Sequence, residues 1–242
     1  MKAKLWLLVA LVGGFAAAQN AVLGCTKEPS AERGAAPAPK IRFKGKTGAP
    51  GRNTVTATRG DNLADLRIIT LAPGEKTLKP GEEPVTAKPH PRLWWHQSES
   101  TASGELQFVL SRIDGPKPGI VFKSGIPAME QGFNVVDLTS GRFKAAKVSL
   151  EDGATYQWTI LSAKSPGSPQ AFCRMKVDAA TNGEGLEALA ESGNWYELFD
   201  AAATAAKDAS GAEAAPMAEL RGELIRQIGL DKLISTPAKG EP

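Results

Sequence analysis

The sequence predicts a mainly β protein: an antiparallel β-sandwich, immunoglobulin-like in appearance, followed by a C-terminal helical segment of two to three helices. Over residues 61–180 apolar residues recur with a period of two, in short runs separated by Gly, Pro, Asn and Asp. No stretch between those runs has the length or period of a crossover helix, which favours antiparallel pairing over βαβ units. Over residues 181–233 the period becomes helical.

The first 18 residues read as a signal peptide. Lys2 and Lys4 form a charged start, "LWLLVALVGGF" an apolar run, and "AAA" at 16–18 the small residues a signal peptidase requires. The run falls short of the roughly 20 apolar residues that span a bilayer, and no later segment approaches that length. An exported protein without a transmembrane helix is expected. A second cut is offered before Cys25, because "VLGC" at 22–25 has the form of a bacterial lipobox. On that reading residues 1–24 are a lipoprotein signal and Cys25 carries the lipid. Gln19, Asn20 and the bulky Leu23 count against it, and the polar stretch after Cys25 counts for it. Localisation therefore stands between periplasmic or extracellular on one side and membrane-anchored through Cys25 on the other.

The cysteines follow that choice. Cys25 and Cys173 are the two in the chain. If both survive in an oxidising compartment, a disulfide between them is allowed. If Cys25 is lipidated, Cys173 in "AFCRMKV" is a small apolar strand residue, and a catalytic thiol is the weaker reading.

Residues 19–60 form a basic, Pro/Gly-rich flexible arm. Over residues 19–59, eight Lys or Arg stand against Glu28 and Glu32, and apolar residues are too sparse to offset ordering entropy. "KIRFKGK" at 40–46 could rest on an anionic membrane or cell-wall surface, or remain a solvated tail. Residues 60–242 carry 19 basic and 24 acidic groups. An acidic body on an exported chain argues against nucleic acid as a partner.

The strand candidates follow in order. "LADLRIITLAPG" ends at a Pro-Gly break, and "RLWWHQSE" follows a Pro-rich stretch. "ELQFVLSRIDG" sets Leu106, Phe108 and Leu110 on one face. "GIVFKSGIP" and "GFNVVDLTSG" come next, and "AAKVSLEDG" leads to "TYQWTILSAK", where Tyr156, Trp158 and Ile160 share a face. "QAFCRMKVDA" closes a series of seven or eight. In the helical segment, Trp195, Leu198, Phe199, Ala202 and Ala206 make one apolar stripe, and Met217, Leu220, Leu224 and Ile228 make another. Pro216 suits a first turn and Gly229 a stop. Residues 234–242 are expected to be a disordered tail.

No catalytic set is visible. His90 and His96 stand six residues apart on a Pro-broken stretch and a strand, which is no recognised metal spacing. Ser111 and Ser162 sit in neither a G-x-S-x-G elbow nor an S-x-x-K arrangement. Glu151 and Asp152 are neighbours in a turn rather than carboxyls facing each other across a bond. "GAPGR" lacks the continuation of a phosphate loop, and "RGD" at 59–61 is a tripeptide of chance frequency. The reading is no enzyme, no cofactor and no metal.

Aromatic residues are the remaining site candidates. Trp94 and Trp95 are adjacent on one strand and must point to opposite faces. One belongs to the core; the other either docks the helical segment or offers a platform to a glycan or small ligand. Trp195 and Tyr196 begin a helix. These four form the candidate ligand or partner surface.

The order of segments also carries a resemblance. "GAPGRNTVTATRG", "RLWW", "FVL", "YQW", "ALAESGNWYEL" and "IGLDKL", spread from about Gly48 to Leu233, resemble the bacterial family known as domain of unknown function 928. Such sequences often carry a Cys shortly after the "YxW" strand, where this chain has Ala163, so no role for a thiol transfers. The resemblance implies export and a shared architecture, and no activity. The function expected is an exported, non-catalytic envelope module. It would bind another envelope protein through the sandwich face or the C-terminal helices, with ligand binding on an exposed Trp face as the alternative.

Overall fold

Alternation of polar and apolar residues over Thr155–Ile160 produces the most regular of the described strands, Thr155–Ser162, half-buried and buried positions following one another along its whole length. The computed structural model describes residues 40–42, 68–73, 83–164, 169–181, 183–208 and 214–230. All of these fall within one compact unit, Gly34–Pro242. The expected signal peptide, Cys25, most of the basic arm and the C-terminal tail lie outside the described residues.

In chain order the elements are β1 (Ile68–Thr70), β2 (Val85–Thr86), β3 (Arg92–Gln97), β4 (Leu106–Arg112), β5 (Gly119–Gly125), β6 (Gly132–Asp137), α1 (Gly141–Ala145), β7 (Thr155–Ser162), β8 (Pro169–Val177), α2 (Leu186–Ser192), α3 (Trp195–Asp208) and α4 (Ala214–Gln227). They build two sheets, one of three strands in the order β1-β3-β6 and one of five in the order β2-β8-β7-β4-β5. Every pair is antiparallel except β2 with β8, which is parallel. The chain is thus mainly sheet, mostly antiparallel, with three helices after the strands.

Two local expectations need correction. The Pro-rich stretch before β3 contains β2, which is too short to display a period and which makes the one parallel pair among the described strands. The stretch "AAKVSLEDG" holds no strand: α1 ends in it, and Lys147 adopts a left-handed backbone (φ 53). There the Val148 N–H closes onto the Phe143 carbonyl at 3.1 Å, so Lys147 occupies the position where a helix terminator is usually Gly.

Inward faces of both sheets and of α2, α3 and α4 contribute to one buried cluster. The Trp158 ring stacks on Phe108 at 6.4 Å, and Trp195 on Phe199 at 5.8 Å. Helix α3 packs against β3, β2 and α4. Its start is fixed by Asn194, whose carbonyl accepts the Leu198 N–H at 3.1 Å and whose side-chain oxygen accepts the Thr181 hydroxyl at 2.7 Å. Gly193, with φ 80, supplies the left-handed turn between α2 and α3. Leu220, Leu224 and Ile228 are buried, Met217 packs beside the cluster, and Gly229 (φ 74) follows α4. Among the described residues no helix is long and apolar enough to cross a membrane.

Candidate functional site

The four aromatic residues named as a candidate ligand or partner surface are all buried, in keeping with core and helix-docking roles: Trp94 is 6% exposed, Trp95 and Trp195 are 0%, and Tyr196 is 3%. Trp94 and Trp95 do point to opposite faces of β3. The Trp95 indole N–H donates to Gln97 Oε1 at 3.1 Å, while that of Trp94 donates to Asp200 Oδ1 on α3 at 2.9 Å, its ring edge-on to Phe199. Helix α3 covers the second face of β3, so no aromatic platform remains at these positions. Trp195 donates to the Leu71 carbonyl at 2.8 Å. The Tyr196 hydroxyl accepts from Trp158 Nε1 at 3.4 Å and donates to the Arg174 carbonyl at 3.2 Å. Burial pushes that phenol well above its ordinary range. These indoles and this phenol are amphipathic anchors in the core. Cys173 lies among them, 2% exposed, with Sγ 3.4 Å from the Tyr196 hydroxyl.

The two histidines do not converge. His96 packs edge-on to Phe133 at 5.3 Å between ring centroids, and burial lowers its pKa. His90 lies before β3 at the mouth of a cleft. Among the described residues no group of three or more His, Cys, Asp or Glu is placed to hold a metal.

That cleft is a site the sequence reading missed. It encloses about 170 Å³ and is lined by Lys88, His90, Arg92, Asp137, Glu197 and Asp200, with Pro91, Thr139 and Tyr196 completing the wall. Three segments meet here: the approach to β3, the end of β6, and the first two turns of α3. Arg92 ties them together. Its Nη1 lies 3.0 Å from Asp200 Oδ1 and donates to Thr204 Oγ1 at 2.7 Å; its Nε lies 3.8 Å from Asp137 Oδ2. Asp200 is thereby shared between Arg92, Trp94 and Thr204, the last at 3.3 Å. Glu197, one turn earlier on α3, is 4% exposed. Its Oε1 accepts the Thr86 hydroxyl at 2.5 Å, and its Oε2 is buried with no hydrogen-bond partner. A wider basin of about 470 Å³ adjoins the cleft through His90 and Thr139 and is lined by Lys144, Lys147 and Ser149 among others.

A second feature is the free side of the five-stranded sheet. Among the described residues β5 pairs with β4 alone, so one row of its backbone groups faces outward. Ile120 is 66% exposed and Val121 44%, and with Ile113 they are the exposed large apolar residues of the described chain. Phe122, by contrast, packs inward on Phe143 at 4.6 Å. Arg142 donates to Ser124 Oγ and the Gly125 carbonyl, both at 2.6 Å, pinning one end of the strand.

Compared with known proteins, the chain matches no family model, no curated protein and no solved structure.

Proposed function

We propose that this chain is an exported, non-catalytic envelope protein that recognises an extended segment of another protein by strand addition to β5. On this reading the two sheets are the leaves of an open sandwich of immunoglobulin-like appearance, the helices are structural, and the resemblance to the domain of unknown function 928 family reflects that architecture. Export, by either of the two N-terminal cuts, places the partner in the envelope.

The observation that carries the reading is β5 itself: seven residues long, paired on one side, with Ile120 and Val121 exposed. Natural edge strands are usually shortened, charged, bulged or covered, and β5 carries Lys123 and a bulge at Val121 but keeps its length. It offers main-chain groups for affinity and apolar side chains for specificity, the two components of strand addition. Lys117 and Lys123, both exposed, set the charge of the edge. The partner segment is therefore one that alternates apolar and acidic residues. The chain's own "KIRFKGK" bears the same sign as the edge and is a poor occupant.

A peptide panel tests this. Seven-residue peptides alternating Val or Ile with Glu should slow hydrogen exchange of β5 amides, and their Lys-for-Glu counterparts should not. Val121→Pro, which puts a residue without an N–H into the strand, should abolish the effect. If no peptide protects β5, or if β5 is protected by a second copy of the chain in a concentration-dependent dimer, the reading fails.

A further inference from the structure

From the cleft at the start of α3 we infer a second site, separate from the β5 edge: a pocket for a primary ammonium group, seated on the buried carboxylate of Glu197.

Its geometry begins with an unmet requirement. An ionised carboxylate accepts at both oxygens, with about four lone-pair positions in all. Glu197 receives one hydrogen bond, from Thr86 to Oε1, and its Oε2 is buried without a partner. Protonation would not repair this, because a hydroxyl at Oε2 would equally lack an acceptor. Buried polar atoms in folded proteins nearly always have partners, and an orphan beside a cleft calls for a partner that enters from the cleft. Glu197 lies in the first turn of a fourteen-residue helix, where the backbone dipole is positive.

The charges around it select the ligand. His90 apart, the cleft's ionisable walls are Asp137, Glu197 and Asp200 on the acidic side and Lys88 and Arg92 on the basic side, a formal excess of one negative charge. Arg92 is committed to Asp200 and Thr204 and leans toward Asp137, so its guanidinium does not serve Glu197. Lys88 is exposed at the rim, where its backbone N–H donates to Thr86 Oγ1 at 3.2 Å. What the site lacks is one positive charge carrying several N–H donors. A primary ammonium, with three donors, supplies both. A metal ion is a poor substitute, because the described residues offer no three-ligand cluster. The volume of about 170 Å³ is close to that of a cavity that admits a benzene-sized molecule. An amine of that size, or the end of a longer one continuing into the adjoining basin, would fit.

Two sources share this chemistry: a small free amine and the side chain of a lysine. The test is calorimetric titration of the full chain with ethanolamine, with glucosamine and with the tripeptide Gly-Lys-Gly blocked at both ends, each beside its N-acetylated amine counterpart. At least one amine should bind more than tenfold tighter than its acetylated form, and which arm binds identifies the source. Glu197→Gln should lose that preference. In the wild-type protein, the Glu197 carboxyl carbon resonance should shift on addition of the amine and not of the acetylated compound, which keeps the test valid if the variant fails to fold. Equal binding of amines and acetylated amines, or an unmoved Glu197 resonance, would overturn the proposal. So would amine binding that appears only in Lys88→Gln, since Lys88 would then be the occupant. None of these outcomes touches β5, so the fate of the strand-addition reading is decided separately.

Discussion

β3 and β5 are of similar length and similarly rich in apolar residues, "RLWWHQ" against "GIVFKSG", yet they lie at opposite extremes of burial. β3 is the middle strand of its sheet, between β1 and β6, and α3 closes its second face. β5 is the last strand of the other sheet, and three of its residues in a row are exposed. The difference teaches that a strand's own hydropathy does not settle its burial. Position in the sheet does, together with what later sequence arrives to cover it. Trp94 is buried because α3, more than a hundred residues downstream, brings Asp200 to its indole nitrogen.

The largest expected effect on that contrast is at the cover. Trp195→Ala should cost about 3–5 kcal/mol in denaturant unfolding, from lost packing plus the cavity left behind, whereas Ile120→Ala should stay within about 0.5 kcal/mol. Equal costs would mean that the two strands are not distinguished energetically. Next comes the polar tie across the β3–α3 junction. Asp200→Ala strands the Trp94 indole N–H and the Arg92 guanidinium and should cost about 1–3 kcal/mol. Asp200→Asn, which keeps an acceptor for Trp94, should recover part of that stability. A smaller loss, about 1–2 kcal/mol, is expected for Gly193→Ala. A Cβ there meets nothing within 4 Å, so the cost comes from the left-handed backbone alone.

The smallest effect sharpens the picture of β3 by pH. Burial lowers the pKa of His96 from 6.5, so the folded chain holds it neutral while the unfolded chain takes up a proton first. Its contribution to stability is present above pH 6.5 and is lost as pH falls through the folded value. Urea midpoints should therefore decline from pH 7.5 toward pH 5, and His96→Gln should flatten that decline.

Much of the fold was legible in the sequence because period survives where one face is buried. β4, β7 and β8 and the stripes of α3 and α4 stand where Leu106, Tyr156, Cys173, Trp195 and Leu220 mark them. β2 was not legible: two residues carry no period, and its pairing is set by β8, some ninety positions away. The cleft was missed for a related reason. Arg92, Asp137, Glu197 and Asp200 come from three distant segments, and each alone looks like an ordinary surface charge. A faint signal exists in "NWYELFD", where Glu197 and Asp200 are one helical turn apart beside the apolar stripe. Of the two roles open to the second tryptophan of "RLWW", the structure has the docking of the helical segment, with α3 over Trp94; the ligand platform was the alternative that burial removes.

The parallel pairing of β2 with β8 bears on the order in which the molecule can assemble. A parallel partner so remote in sequence cannot be reached by a hairpin, and α3, which seats against both β2 and β3, is made later still. During synthesis, β3 must wait with Trp94 uncovered until about residue 208 has emerged. Contacts of such long range make folding slow and leave the intermediate prone to aggregate. A nascent chain arrested before α3 leaves the second face of β3 open, and the last third of the sequence is the latch that closes it.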